Sequence, residues 1–292
     1  MRVLVTGATG QLGSEVVAEL GRRNAARRHG PSIEVVAAAH ASLDVADRDA
    51  VLGTVLTVEP HLIVHAAAWT AVDACELDPD RAFAINALGT RHVAEAARRA
   101  GAHVCYVSTD YVFDGTAGRP YLEWDEPAPR SVYGRSKLAG ERELAEGSTV
   151  VRTAWLCGRN GPNMVKTILR LLGDGAPLRF VDDQVGSPTV AADLAACLVD
   201  LALARRPGVF HVTNSGTTSW YGFARAVVEF AGGDPGAVHP ITTAELDPPR
   251  PAPRPAWSVL DNAALRLSGL PSLPPWEEST RALVRELRAG AG

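Results

Sequence analysis

Residues 2–13 read Arg2-Val3-Leu4-Val5-Thr6-Gly7-Ala8-Thr9-Gly10-Gln11-Leu12-Gly13. A short apolar, β-branched run has the composition of a buried strand. It empties into a G-x-x-G-x-x-G turn, after which apolar residues recur at helical spacing over 11–29. The turn needs glycine for two reasons. It permits positive φ, and it lets backbone approach a bulky anion closely at a helix N-terminus, where unpaired N–H groups favour negative charge. Placed directly after a strand and before a helix, the stretch predicts a turn for a dinucleotide pyrophosphate, with Gly7, Gly10 and Gly13 as its glycines.

Outward from this turn the rhythm repeats. Strands are predicted at 2–6, 33–37, 62–65, 103–107 and 149–152, with helices at 11–29, 47–58, 80–100 and 134–146. Alternation of this kind requires parallel strands, since each crossover is helix-length. The fold class is therefore α/β, a Rossmann-type doubly wound parallel sheet followed by a smaller C-terminal lobe. Beyond 155 the rhythm loosens, with helices at 163–173, 191–204, 219–231 and 276–288 and strands at 178–181 and 208–212. The expected division is a large unit over 1–152, rejoined by 181–214, and a smaller lobe over 153–180 and 215–292. The proline-rich stretch 248–255 lacks the amide donors for helix or inner strand and reads as a surface connector.

The bulk properties exclude several classes. Of 292 residues, 46% are apolar and 21% charged, with a formal net charge of −4. Nothing in that balance calls for nucleic acid or an anionic membrane. No run reaches the roughly 18 apolar residues of a membrane span, and Met1-Arg2-Val3-Leu4-Val5 lacks a signal peptide's basic start. Cys75, Cys105, Cys157 and Cys197 are far apart, without zinc or redox spacing. A cytoplasmic protein with reduced thiols is expected. The arginines of 22–28 read as a solvated face.

Ligands of a doubly wound sheet lie beyond the carboxyl ends of its strands. The second strand ends Ala37-Ala38-Ala39-His40-Ala41-Ser42, without the acid that would bind the adenosine ribose of NAD. That permits NADPH and leaves NADH open, although no arginine stands there for a 2′-phosphate. His40 reads as a surface residue, Asp44 as a partner for the adenine amino group and Asp47 as a helix cap. The third strand ends His65-Ala66-Ala67-Ala68, small enough for a cofactor to lie on, or simply a tightly packed strand end. After the fourth strand comes Ser108-Thr109-Asp110-Tyr111-Val112-Phe113-Asp114-Gly115. Tyr133-Gly134-Arg135-Ser136-Lys137 then places a phenol and an ammonium four residues apart, on one helical face. That spacing predicts Tyr133 as proton donor, its pKa lowered by Lys137, with Thr109 donating to the same oxygen. Asp114-Gly115 reads as a turn.

With these clusters together the chain resembles the extended short-chain dehydrogenase/reductases, whose catalytic triad Thr109, Tyr133 and Lys137 match. Residues 61–89, 108–115, 133–141, 152–156, 181–189 and 254–261 look more narrowly like the dTDP-4-dehydrorhamnose reductase family, nearly the whole chain being covered. The resemblance implies an NAD(P)H-dependent reduction of the C4 ketone of a dTDP-4-keto-6-deoxysugar. It implies that Gly10, Gln11, Leu12, Asp44, Val45, Ala66, Ala67, Ala68, Tyr133 and Lys137 line the cofactor. It assigns Thr109, Asp110, Tyr133 and Trp155 to the sugar nucleotide, and Asn163 and Arg254 to its diphosphate. The plain alternatives are a core Trp155, a helix-capping Asn163 and an Arg254 paired with a carboxylate.

Some relatives hold Mg2+ at a homodimer interface. Glu15 matches one such position and Asp193 approximates another, but Arg288-Ala289-Gly290-Ala291-Gly292 offers no third ligand, so metal and dimer stay open. Ser131 and His65 stand where relatives often carry asparagine. Dehydratases resembling this fold place glutamate after Thr-Asp, and Tyr111 in that place argues against dehydration. An intact triad argues against a non-catalytic, dinucleotide-binding regulatory subunit.

Overall fold

The computed structural model describes residues 1–26 and 32–290. In chain order, β1 (Arg2–Thr6), α1 (Gln11–Ala26), β2 (Glu34–Ala38), α2 (Arg48–Val58) and β3 (Leu62–His65) are followed by α3 (Val72–Leu77) and α4 (Pro79–Phe83). A π-helical turn, Ala84–Leu88, leads into α5 (Gly89–Ala100), β4 (His103–Thr109), α6 (Val132–Arg142) and β5 (Thr149–Thr153). The remainder comprises β6 (Leu156–Cys157), α7 (Met164–Gly173), β7 (Leu178–Val181), β8 (Val185–Gly186), β9 (Thr189–Val190), α8 (Ala191–Leu203) and β10 (Gly208–His211). It ends with β11 (Thr218–Ser219), α9 (Trp220–Phe230), β12 (Val238–Ile241), α10 (Ala263–Leu267) and α11 (Trp276–Ala289).

Six parallel strands run in the order β10-β5-β4-β3-β1-β2, so the expected doubly wound sheet is present. The order reverses between β1 and β3, which opens the crevice in which such sheets bind ligands. Val3, Leu4 and Val5 are wholly buried, because helices cover both faces and a parallel strand needs no polar side. On one face Val3, Val5 and Val64 pack against Leu12, Val16 and Leu20 of α1 and Leu194 and Leu198 of α8. On the other, Leu4, Ile63 and Tyr106 meet Val51 and Val55 of α2 and Val93 and Ala97 of α5. Each such enclosed aliphatic side chain contributes about 1.5–3 kcal/mol. A separate cluster gathers Val165, Ile168, Phe180, Phe223, Val227, Trp276 and Leu283.

Within the expected return 181–214, α8 packs on α1 and β10 extends the large sheet beside β5. Here β8 and β9 instead pair with β11 and β6, and β7 pairs with β12. The helix expected over 80–100 is broken. Its π turn is where Asn86 turns its amide to the backbone of Trp69, and π turns of this kind recur at functional sites. The last three residues of the helix expected over 11–29 lie outside the described residues. No helix among the described residues is long and apolar enough to cross a membrane.

Candidate active site

The glycine turn is built as its spacing predicts. Gly7 has φ 66°, and Gly10 N donates to Gly7 O at 2.9 Å. A Cβ on Gly7 would lie 2.8 Å from the Ala67 backbone, and one on Gly13 2.1 Å from Gly7 O. Beyond the turn lies a cavity of about 300 Å³, lined by Gly7, Gly10, Asp44, Val45, Ala66, Ala67 and Ala68 among others. The remaining expected cofactor residues, Tyr133 and Lys137 of α6 included, stand outside that wall. Leu12 is in the core beneath it, Gly13 packs on Gly7, and Gln11 lies against Gly158 and Gly161.

His40, Trp69, Arg81 and Ile85 also line the cavity. His40 is exposed, as expected, at the rim of this cavity, and an arginine reaches the cavity from outside β2, its guanidinium 4.6 Å over the Trp69 ring. Neither Trp69 nor Arg81 belongs to a strand end or glycine turn. They arrive because Asp78 caps α4 through Arg81 N and Asn86 clamps the Trp69 backbone at 2.8 and 3.1 Å. The crevice suits a dinucleotide: backbone approach at the glycines, small side chains opposite, and a cation within it.

Thr109 ends β4 directly beside Thr153 of β5. Its Oγ1 donates to Asp110 Oδ1 at 2.8 Å. Ser131 caps α6, accepting from Gly134 N at 3.1 Å, while Val132 N donates to Glu76 Oε2. Gly134 allows the first turn of α6 to abut the 110–112 segment, since a Cβ there would lie 2.1 Å from Tyr111 O. The Tyr111 and Tyr133 rings consequently meet edge to face, 5.5 Å apart. Beneath them a buried Arg152–Glu141 pair, N···O 2.7 Å, ties α6 to β5.

The electrostatics depart from the expected triad in one respect. Lys137 Nζ donates to Val107 O at 2.7 Å and lies 4.0 Å over the Tyr106 ring. Burial, only partly offset by Glu141, takes its pKa down to about 7. Lys137 therefore does not pull the Tyr133 phenol down in this geometry. Burial pushes that phenol well up, and a hydrogen bond with Thr109 opposes the rise. Asp110 is buried with its Oδ2 unpartnered. Desolvation lifts its carboxyl to about 6 against hydrogen bonds from Ser258 and Thr109. His65 is enclosed between the hydroxyls of Thr6 and Thr90, and burial keeps it neutral, with a pKa of about 3. Asn86, which no motif marked, also donates to Ser136 Oγ at 3.0 Å.

Trp155 follows β5 at φ 45° and stacks on Trp220. Asn163 caps α7, accepting from Lys166 N and donating to Gly158 O at 2.7 Å. Both guanidinium ends of Arg254 are held by Asp73, at 2.5 and 2.8 Å. Glu15 and Asp193 line one cavity of about 420 Å³. Both Glu15 oxygens accept from Arg159, at 2.9 and 2.8 Å, and Asp193 accepts from Asn214. Both oxygens of Glu15 are thus already paired with a guanidinium. Among the described residues no group of three or more metal-ligating side chains is gathered.

The sequence matches the family described as the RmlD substrate binding domain over residues 1–289. It is 44% identical to a dTDP-4-dehydrorhamnose reductase of Streptomyces griseus, covering 100% of this chain and 95% of that one. It is 40% identical to a probable dTDP-4,6-dihydroxy-2-methyloxan-3-one 4-ketoreductase of Streptomyces antibioticus, over 99% of this chain and 96% of the other. Among solved structures, a dTDP-4-dehydrorhamnose reductase of Bacillus anthracis in complex with NADP superposes with a TM-score of 0.90 at 37% identity, covering 98% and 99% of the two chains.

Proposed function

The chain belongs to the dTDP-4-dehydrorhamnose reductase family, and from that premise we propose that it reduces the C4 ketone of dTDP-4-dehydro-L-rhamnose to give dTDP-L-rhamnose. The carrying observation is that Lys137 and Tyr133 of α6 both reach β4, Lys137 at Val107 O and Tyr133 at Thr109, and that this parallel strand ends on the same edge of the sheet as the glycine turn after β1. Gly7, Gly10, Asp44, Val45 and Ala66–Ala68 would hold NADPH, with NADH as the weaker alternative, and that cofactor would supply the hydride when bound. Tyr133 gives its hydroxyl proton to the nascent C4 alkoxide. Its raised pKa keeps the proton in place at neutral pH. Thr109 steadies the developing oxyanion by hydrogen bonding, and Lys137 anchors the cofactor ribose. Asp110 and Trp155 contact the sugar. Asn163 and Arg254 serve the diphosphate, Arg254 by exchanging its Asp73 partner for it.

Tyr111 supports reduction over dehydration. It occupies the position a dehydratase needs for an acid–base group, and burial raises its pKa to about 12. A second reading, reduction of another dTDP-4-ketosugar for a secondary metabolite, draws on the similarity to the Streptomyces antibioticus ketoreductase. The four free thiols suit a cytoplasmic enzyme. The test is NADPH consumption across a panel of dTDP-4-keto-6-deoxyhexoses, with the products identified. Fastest turnover to dTDP-L-rhamnose is expected, and consumption with none of the panel would refute the reading.

A further inference from the structure

Trp155 adopts a backbone that its residue type does not favour. Its φ of 45° lies in the left-handed region, where Cβ crowds the carbonyl and bulky side chains are outliers. Such conformations persist when their surroundings over-determine them, and they concentrate at ligand sites. The surroundings here are specific. The Trp155 indole lies flat on that of Trp220, centroids 3.6 Å apart and planes 3° from parallel. Free aromatic pairs prefer offset or edge-to-face contact, so this near-parallel sandwich is imposed by its frame.

The frame is legible. A Cβ on Gly186 would fall 2.4 Å from Cε2 and 2.5 Å from Nε1 of Trp155, so only glycine leaves room for the ring. Gly186 in β8 pairs with Thr218 of β11, and Trp220 follows as the first residue of α9, behind its cap Ser219. Gly186 and Trp220 are therefore two walls of one slot. The slot receives a residue only two positions beyond Thr153, which is paired with Thr109. Both tryptophans are half-buried, so neither is sealed in the core.

We infer that Trp220 is a positioning residue for the sugar nucleotide. It holds the Trp155 indole flat in the Gly186 slot, so that the open part of that ring meets the apolar C–H face of the deoxysugar. The inference rests on the reading that the substrate is a nucleotide-linked 6-deoxysugar. A residue that only packed α9, through its contact with Phe223, would affect thermal stability without distinguishing sugar from nucleotide.

Calorimetry on Trp220→Leu and Trp220→Phe, with NADPH, dTDP and dTDP-L-rhamnose as ligands, separates these roles. Near-UV circular dichroism follows the couplet of the stacked indoles. In the leucine variant the couplet should vanish and dTDP-L-rhamnose should bind roughly tenfold more weakly, with dTDP and NADPH within about twofold of wild type. KM for the ketosugar should rise by a similar factor while kcat moves less, and phenylalanine should restore most of the loss. Equal weakening of dTDP and dTDP-L-rhamnose, or no weakening once the couplet is lost, overturns the inference. Should the leucine variant fail to fold, Trp220→Met fills the space without a flat face, and the same outcomes apply to it. A wild-type protein that binds dTDP-L-rhamnose but reduces no ketosugar refutes the reductase reading alone. One that binds it no more tightly than dTDP refutes this inference.

Discussion

Burial moves Tyr133 and Lys137 toward their neutral forms by opposite shifts, the phenol upward and the ammonium down to about 7. Tyr133 is consequently a loaded proton donor. Tyr133→Phe should cut kcat by roughly 10²-fold or more and leave NADPH affinity nearly unchanged; near-wild-type turnover would remove it from the reaction. Asp110 offers a pH test. Its carboxyl is raised from 3.8 to about 6 by desolvation, so the folded state holds this proton more tightly than the unfolded state. The resulting stabilisation is complete below the unfolded pKa and is lost as pH rises through about 6. Asp110→Asn cannot titrate, so its Tm relative to wild type should climb between those limits; a pH-independent difference would contradict the assignment. Thr109, Tyr133 and Lys137 were legible in sequence because strand end and helix spacing place them. Trp220, Arg81 and Asn86 were not, because their roles arise from contacts across 65, 12 and 50 positions of chain.

Element by element, capping and close approach decide whether the site assembles. The first turn of α6 can seat against Tyr111 only because residue 134 has no side chain. In Gly134→Ala the new Cβ meets a backbone carbonyl at 2.1 Å, so the turn must shift and carry Tyr133 with it. A large loss of kcat with a lowered Tm is expected, measured by NADPH oxidation and thermal unfolding. Gly53, inside α2 with nothing within 4 Å, is the contrast. Gly53→Ala should leave kcat unchanged and add about 0.5–1 kcal/mol of stability by helix propensity. A fall in kcat there would show that α2 matters to the site in a way its packing does not reveal. The elements around β1 were readable because periodicity and glycine punctuation agree. The helix expected over 80–100 was readable in extent but not in its break, since a π turn leaves no mark on apolar spacing. The turn is held by what Asn86 bonds to elsewhere in the chain.

For the molecule as a whole, parallel strand order and its reversal between β1 and β3 put the crevice where the glycine turn opens. The sheet was therefore legible from alternation alone. The pairing of β8 with β11 was not, because two-residue strands carry no period, and neither was that of β7 with β12, because a register that joins Leu178 to Val238 leaves no local mark. Cofactor choice is also read at this scale: β2 ends without a carboxylate, and Arg81 lines the crevice. NADPH should be used at least as well as NADH, and a kcat/KM preference for NADH above about tenfold, or roughly 1.4 kcal/mol, would contradict that. The most direct test follows the hydride itself. The protein is supplied with dTDP-4-dehydro-L-rhamnose and NADPH carrying deuterium at both nicotinamide C4 positions, and the product is read by NMR. A single deuteron at C4 of dTDP-L-rhamnose, one for each NADPH oxidised, is the expected result. Label elsewhere on the sugar, or NADPH oxidised with no label at C4, would contradict C4 ketone reduction.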